Sequence, residues 1–164
     1  MLRNAEEKTK KYANKREFRI ASAYKTPFKK NEFNIITFNL VLSHLKDLDK
    51  AVSEMTRVLK KDGIMIISDL HPYAMIFKNA RTVFYNKNKK YRITNYIYLF
   101  EDLIKIFRKN KLEILDVKDL KDTKKCLDLY IALCKNHGKK ISKEKEYEEW
   151  LGKPGALIIK LRKK

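Results

Sequence analysis

Apolar positions along the chain change their period several times, and each change marks a predicted element. Leu2, Ala5, Thr9, Tyr12 and Ala13 recur at helical spacing with charges between them, so the pattern over residues 1–14 is helical from its first turn, with no N-cap residue ahead of it. Phe18 and Ile20 alternate with Glu17 and Arg19, which predicts a short strand ending near Ala21. Ser22 to Lys30 reads as a loop punctuated by Pro27. Phe33-Asn34-Ile35-Ile36-Thr37-Phe38-Asn39 is a nearly continuous apolar run, the kind buried on both faces of a parallel sheet.

The clearest helix follows. Leu45, Leu48, Val52, Met55 and Leu59 step by three and four and form one stripe over Asp47 to Lys61. Asp47 can cap its start, and Gly63 stands just past its end, where a left-handed residue is wanted. Ile64 to Ser68 is a second buried strand. Strand, helix and strand with short joints make a right-handed βαβ unit, so the class is α/β with a parallel sheet.

Downstream, Lys78–Arg92 carries six cations and no acid and reads as a flexible excursion. Leu99, Leu103, Ile106 and Phe107 predict a helix, and Leu112 to Val117 alternates as a strand. Lys121–His137 should be helical, with Cys126, Leu129, Ile131 and Leu133 near one side. Ser142–Leu151 reads as a short helix, and Pro154-Gly155 turns into a terminal strand over Ala156–Leu161. No repeat and no low-complexity linker interrupts this, so 164 residues imply a single domain.

Composition changes the picture in one respect. Against 20 Asp and Glu stand 39 Lys and Arg, a net charge of +19, which attracts polyanions such as RNA, DNA or an anionic membrane surface. Of these cations 31 are Lys and only 8 Arg, beside 11 Asn and 16 Ile, so A/T-rich coding alone accounts for the bias. Base-edge recognition usually favours the Arg fork. The compositional reading is preferred, with at most non-specific nucleic-acid binding. No apolar run approaches a membrane span, and the first residues lack a signal-type apolar region, so the expected setting is cytoplasmic with no membrane partner. Cys126 and Cys134, eight apart, suit neither a disulfide framework nor a metal site, and are expected to face the core.

One ordered string of residues carries a family resemblance. It runs through Pro27-Phe28, Phe33 to Ile36, Leu40 to Leu45, Asp47 to Ala51, Glu54, Arg57 to Lys60, Gly63 and Ser68-Asp69-Leu70-His71-Pro72. It resembles the central and C-terminal part of a class I S-adenosylmethionine-dependent methyltransferase of the small-molecule methyltransferase-domain type. Lys153 to Lys164 likewise resembles the last strand of such enzymes. The resemblance implies a Rossmann-like sheet of strand order 3-2-1-4-5-7-6, here incomplete. Phe18–Ala21 would be its third strand and Phe33–Asn39 its fourth, with the first two strands and the Gly-rich loop missing upstream of Met1. The chain is then one partial methyltransferase domain over residues 1–164. Glycines let backbone approach a cofactor ahead of a helix N-terminus. The four glycines here, Gly63, Gly138, Gly152 and Gly155, are all far downstream and none forms a G-x-G.

The same resemblance implies S-adenosylmethionine as cofactor, a small-molecule acceptor and in-line displacement at the sulfonium methyl. Weak or no cofactor binding is expected from this chain, with impaired activity. The cofactor-binding candidates are Ser22, Ala23 and Tyr24 around the adenine, and Asn39 and Leu40 at the strand end. Ser22 and Asn34 stand where the family often has Asp. The catalytic candidates are His44, as base or cofactor contact or else a helix cap, and His71 on the substrate side. Tyr73 and Tyr91 are acceptor-pocket candidates or packing residues, and His137 is expected to be inert. The alternative is a noncatalytic RNA-binding or partner-completed subunit. Of the fold, Glu17–Ala21 is expected to pair with Phe33–Asn39 or to be poorly ordered.

Overall fold

The computed structural model describes residues 2–77, 83–86, 89–136, 138 and 140–164. A helix α1 (Leu2–Lys8) runs into a 3-10 stretch over Lys10–Lys15. The body then follows as β1 (Phe33–Asn39), α2 (Leu48–Val58), β2 (Leu59–Leu70) and α3 (Pro72–Phe77). A ribbon of β3 (Val83–Asn86) and β4 (Lys89–Arg92) precedes α4 (Phe100–Lys109) and β5 (Leu112–Lys121). Helices α5 (Lys124–Asn136) and α6 (Lys143–Trp150) lead to β6 (Pro154–Lys163).

The main sheet has the order β1-β2-β6-β5. β1 and β2 are parallel, with Ile36 opposite Met65 and Phe38 opposite Ile67. β6 runs antiparallel to both β2 and β5. This reproduces the 4-5-7-6 part of the expected order, including the expected contact between Phe33–Asn39 and Ile64–Ser68. One face carries the core: Phe38, Met65, Ile67, Ile159 and Leu161 pack with Leu48, Ala51 and Val52 of α2 and with Leu103 and Phe107 of α4. Asp47 caps α2 as expected, its carboxylate accepting the Lys50 N–H at 3.2 Å.

The strand expected at Glu17–Ala21 does not form. This stretch is irregular chain with an Arg19–Glu17 ion pair, Arg16 over the Phe18 ring and Arg19 over the Phe28 ring, and Ile20 is 88% exposed. The stretch pairs with no strand among the described residues, and alternation alone makes no strand without a cross-strand partner and a face to bury. β1 is therefore an edge among the described residues, and it is not buried on both faces. Phe38 is buried while Ile35 is 61% exposed. The same holds across the sheet: Ile64, Ile66, Ser68 and Leu70 of β2, and Ala156, Ile158, Lys160 and Arg162 of β6, share Ile35's face and none is buried.

Other boundaries shift for local reasons. α2 stops at Val58, three residues before Lys61, and the left-handed residue beyond it is Asp62 (φ 60°) rather than Gly63. Gly63 serves close approach instead: a Cβ there would stand 2.8 Å from the Leu59 side chain and the Lys60 carbonyl. Within Lys78–Arg92 the described parts pair as the β3–β4 ribbon rather than forming a loop, with Phe84 opposite Tyr91. On α5 the buried residues are Leu127, Ile131 and Cys134, so Cys134 faces the core as expected and Cys126 does not, and Ile131 lies on a different side from the exposed Leu129 and Leu133. His137 lies outside the described residues.

Candidate functional site

The carboxyl ends of β1 and β2 lie side by side, the edge at which open α/β sheets bind ligands. Asn39 and Ser68 are register partners, and the Ser68 hydroxyl donates to Asn39 Oδ1 at 2.9 Å. The chain then turns sharply at Leu40, which takes a left-handed φ of 52° while its N–H donates to the Ser68 carbonyl at 2.8 Å. A non-glycine residue in that region is strained and is held by its surroundings. Its side chain is 61% exposed at the strand end. A single 3-10 turn over Leu42–His44 follows.

The Ser22–Lys25 turn lies against the start of α2. Lys25 N–H donates to the Ser22 carbonyl at 3.1 Å, and Ser22 Oγ accepts the Tyr24 N–H at 3.2 Å. Ala23 packs on the core, and the Tyr24 hydroxyl accepts the Asp47 N–H at 3.4 Å.

A buried carboxylate organises the next layer. Asp69, 4% exposed, accepts the Ser43 N–H at 3.1 Å, the Ser43 hydroxyl at 3.2 Å and the Leu70 N–H at 2.7 Å. Three donors make burial of a carboxylate tolerable without an adjacent cation. Ser43 also binds the strap before α4: Asn95 Nδ2 donates to its Oγ at 3.2 Å, and Tyr96 N–H donates to its carbonyl at 2.7 Å. The Tyr98 hydroxyl donates to the Leu45 carbonyl at 2.6 Å, and burial pushes its pKa up. Between these groups lies a cavity of about 20 Å³, room for one water. Asp69, Ser43 and Asn95 were not singled out in the sequence. Asp69 stood in view, as the acid directly after the apolar run Ile64–Ser68.

The two histidines sit at this edge in different states. His44 is partly buried, with Nδ1 3.4 Å from Asn95 Nδ2. His71 is 9% exposed and engages both ring nitrogens: Nδ1 accepts the Tyr73 N–H at 3.0 Å, and Nε2 lies 3.3 Å from Asp119 Oδ1. The accepting Nδ1 puts the proton on Nε2, directed at Asp119. Tyr73 is half-buried and stacks on Phe77 with ring centres 5.0 Å apart. Tyr91 lies on β4, 42% exposed. Among the described residues, no group of three or more His, Cys, Asp or Glu is placed to hold a metal ion.

Comparison with known proteins fits this geometry. Residues 1–67 match the family described as a methyltransferase domain. The fold is similar to that of solved S-adenosylmethionine-dependent methyltransferases. Among curated proteins, it is 42% identical over 62 residues to an uncharacterised methyltransferase, C1B3.06c, of Schizosaccharomyces pombe, covering 38% of this chain and 22% of that one. It is 36% identical over 72 residues to the demethylmenaquinone methyltransferase of Desulfitobacterium hafniense, covering 43% and 28%. The chain thus aligns with less than a third of the length of these relatives. Among solved structures, an S-adenosylmethionine-dependent methyltransferase from Clostridium acetobutylicum superposes with a TM-score of 0.67 at 16% identity, over 99% of this chain and 70% of that one. The (4+2)-cyclase SpnF superposes with a TM-score of 0.65 at 20% identity, over 98% and 60%.

Proposed function

We propose that the chain is a methyltransferase unit that transfers a methyl group from S-adenosylmethionine to a small-molecule acceptor. The observation that carries this reading is a coincidence of place. The segment matched to the methyltransferase domain supplies the Ser22–Lys25 turn, whose Tyr24 bonds the start of α2, and β1 with Asn39 and Leu40 at its carboxyl end. The cofactor supplies an electrophilic sulfonium methyl, which an acceptor N, O or C displaces in line.

The residues present fit one side of that cofactor. The structured Ser22–Lys25 turn offers the Ser22 hydroxyl and the backbone of Ala23 to an adenine, with Tyr24 beside it. Asn39 and the exposed Leu40 stand at the strand end for the remainder. The ribose and methionine side has no counterpart, because no G-x-G occurs anywhere in the sequence. In this reading His44 faces the acceptor and moves or donates a proton there, held by Asn95 and by the Asp69–Ser43 bonds. His71 positions, since both its nitrogens are occupied, and Tyr73 and Tyr91 serve the acceptor side. Proximity and orientation are the protein's main contribution.

A noncatalytic module is the second reading. It is favoured by the missing glycine loop, and the fold accommodates other work, as the name of the cyclase SpnF illustrates. Calorimetry with S-adenosylmethionine separates the two sides of the site. The 164-residue chain should bind weakly or undetectably. Micromolar affinity, lost in Ser22→Ala or Asn39→Ala, would show that the residues present suffice. Proton-resolved titration of His44 with and without cofactor would then test its placement.

A further inference from the structure

A second cavity shares no residue with the strand-end site. It has a volume of about 570 Å³ and is lined by Glu6 and Glu7 of α1, by Lys10 and Ala13 of the 3-10 stretch, and by Arg16 and Phe18 just beyond. That volume is within the range of small-molecule sites. Arg16 is tethered there: its Nη2 donates to the Glu6 carbonyl at 2.8 Å, and its guanidinium lies over the Phe18 ring, 4.9 Å from the ring centre. Nε and Nη1 are enclosed by the chain and have no hydrogen-bond partner. Among the described residues, no other buried side-chain nitrogen or oxygen is left so. Enclosed donors without an acceptor are rare, because each has lost water and gained nothing in return.

Charge on the walls selects the ligand. Two carboxylates, Glu6 and Glu7, and two cations, Lys10 and Arg16, line one cavity, yet no ion pair joins any two of the four. The unpaired N–H groups of Arg16 match a carboxylate, the planar acceptor that a guanidinium takes. Phosphate is the poorer fit, because its extra charge would meet Glu6 and Glu7. An ammonium group close to the bound carboxylate satisfies those two acids instead. Ala13 and the Phe18 ring add apolar wall. Carboxylate, ammonium and a modest apolar group are the parts of a free α-amino acid. Glu7 and Lys10 are exposed, so their side chains can swing aside as it enters.

We propose that the crease between α1 and Arg16–Phe18 binds a free α-amino acid with an apolar side chain, its carboxylate on Arg16 and its ammonium group on Glu6 and Glu7. This stands apart from methyl transfer and does not depend on it. The probe is L-leucine, added to the full chain labelled for nitrogen NMR. Arginine Nε–H resonances report on the guanidinium directly, and that of Arg16 is assigned by its loss in Arg16→Lys. Leucine should shift it saturably. Isocaproate lacks the ammonium group and leucinamide lacks the carboxylate, so each should bind about tenfold more weakly or worse, leaving charged wall unpaired. Glu6→Gln plus Glu7→Gln should weaken leucine binding and leave that of isocaproate unaltered. An Arg16 resonance that leucine does not move overturns the proposal. So does isocaproate or inorganic phosphate binding as well as leucine, because the cavity would then take any anion. Leucinamide binding as well as leucine overturns it too, since Arg16 would then play no part. The ligand series is measured on the parent chain and stands even if a substitution in this segment unfolds it.

Discussion

Glu54 accepts four hydrogen bonds, from the Thr26 N–H and hydroxyl at 2.7 Å each and from Arg57 Nε and Nη2 at 2.8 Å each. Arg57 Nη2 also donates to the Phe28 carbonyl at 2.9 Å. The pair thus fastens the loop after the Ser22–Lys25 turn to α2, at some distance from any chemistry. Hydrogen bonding to Arg57, ahead of that from Thr26, lowers the Glu54 pKa to about 2. A carboxylate more acidic when folded stabilises the protein above its ordinary pKa of 4.5, and that contribution fades as pH falls toward 2. Since Arg57 is more than a third exposed, solvent screening limits the effect to about 1–2 kcal/mol. Glu54→Gln should therefore lower the unfolding free energy from urea titration by that amount at neutral pH, and the gap from the parent should close below pH 4.5. An undiminished gap in acid would mean that packing, not charge, is what the substitution removes.

At the scale of elements, β1 shows what a pattern can and cannot announce. Its place beside β2, and α2 across them, were legible because Leu48, Val52, Phe38 and Ile67 are apolar and belong to one core. Its exposure was not legible, because an apolar run reads alike whether or not a neighbouring strand and a covering layer exist. The same blindness explains α5, where two apolar stripes on one helix give no sign of which will be covered. It also explains Glu17–Ala21, whose alternation does not say whether a partner strand will pair with it. The strand-end site was half legible: Asn39, Ser22 and His44 were marked by family resemblance, whereas the Asp69–Ser43–Asn95 bonds join residues 26 and 52 positions apart.

The consequence for β1 can be measured. Phe33–Asn39 contains no charged residue, although lysine is the usual guard of an exposed strand edge. Ile35 has little packing to lose at 61% exposure. Ile35→Lys should reduce concentration-dependent light scattering on warming while altering stability by no more than about 0.5 kcal/mol. Scattering equal to that of the parent would acquit this edge and point to another surface.

Across the whole molecule, the charge of +19 acts on every solution property at once. Local pairs absorb little of it: Lys109 holds Asp49, Lys50 holds Asp47 at 2.9 Å, and Arg162 holds Glu113 at 2.7 Å, all on the surface. The remaining cations are spread along the chain as lysines, which bind phosphate as point charges without the planar fork that reads base edges. Binding to single-stranded RNA should therefore be independent of sequence. Its affinity should fall linearly on a log–log plot against salt, each neutralised phosphate contributing a slope of about −0.7. By physiological salt little should remain, while the folded state itself should gain stability as self-repulsion is screened. Fluorescence anisotropy with several unrelated oligonucleotides across a salt series reads both the slope and the selectivity. If one sequence stays bound at physiological salt while the others dissociate, the protein carries a true RNA site and the noncatalytic reading gains over methyl transfer.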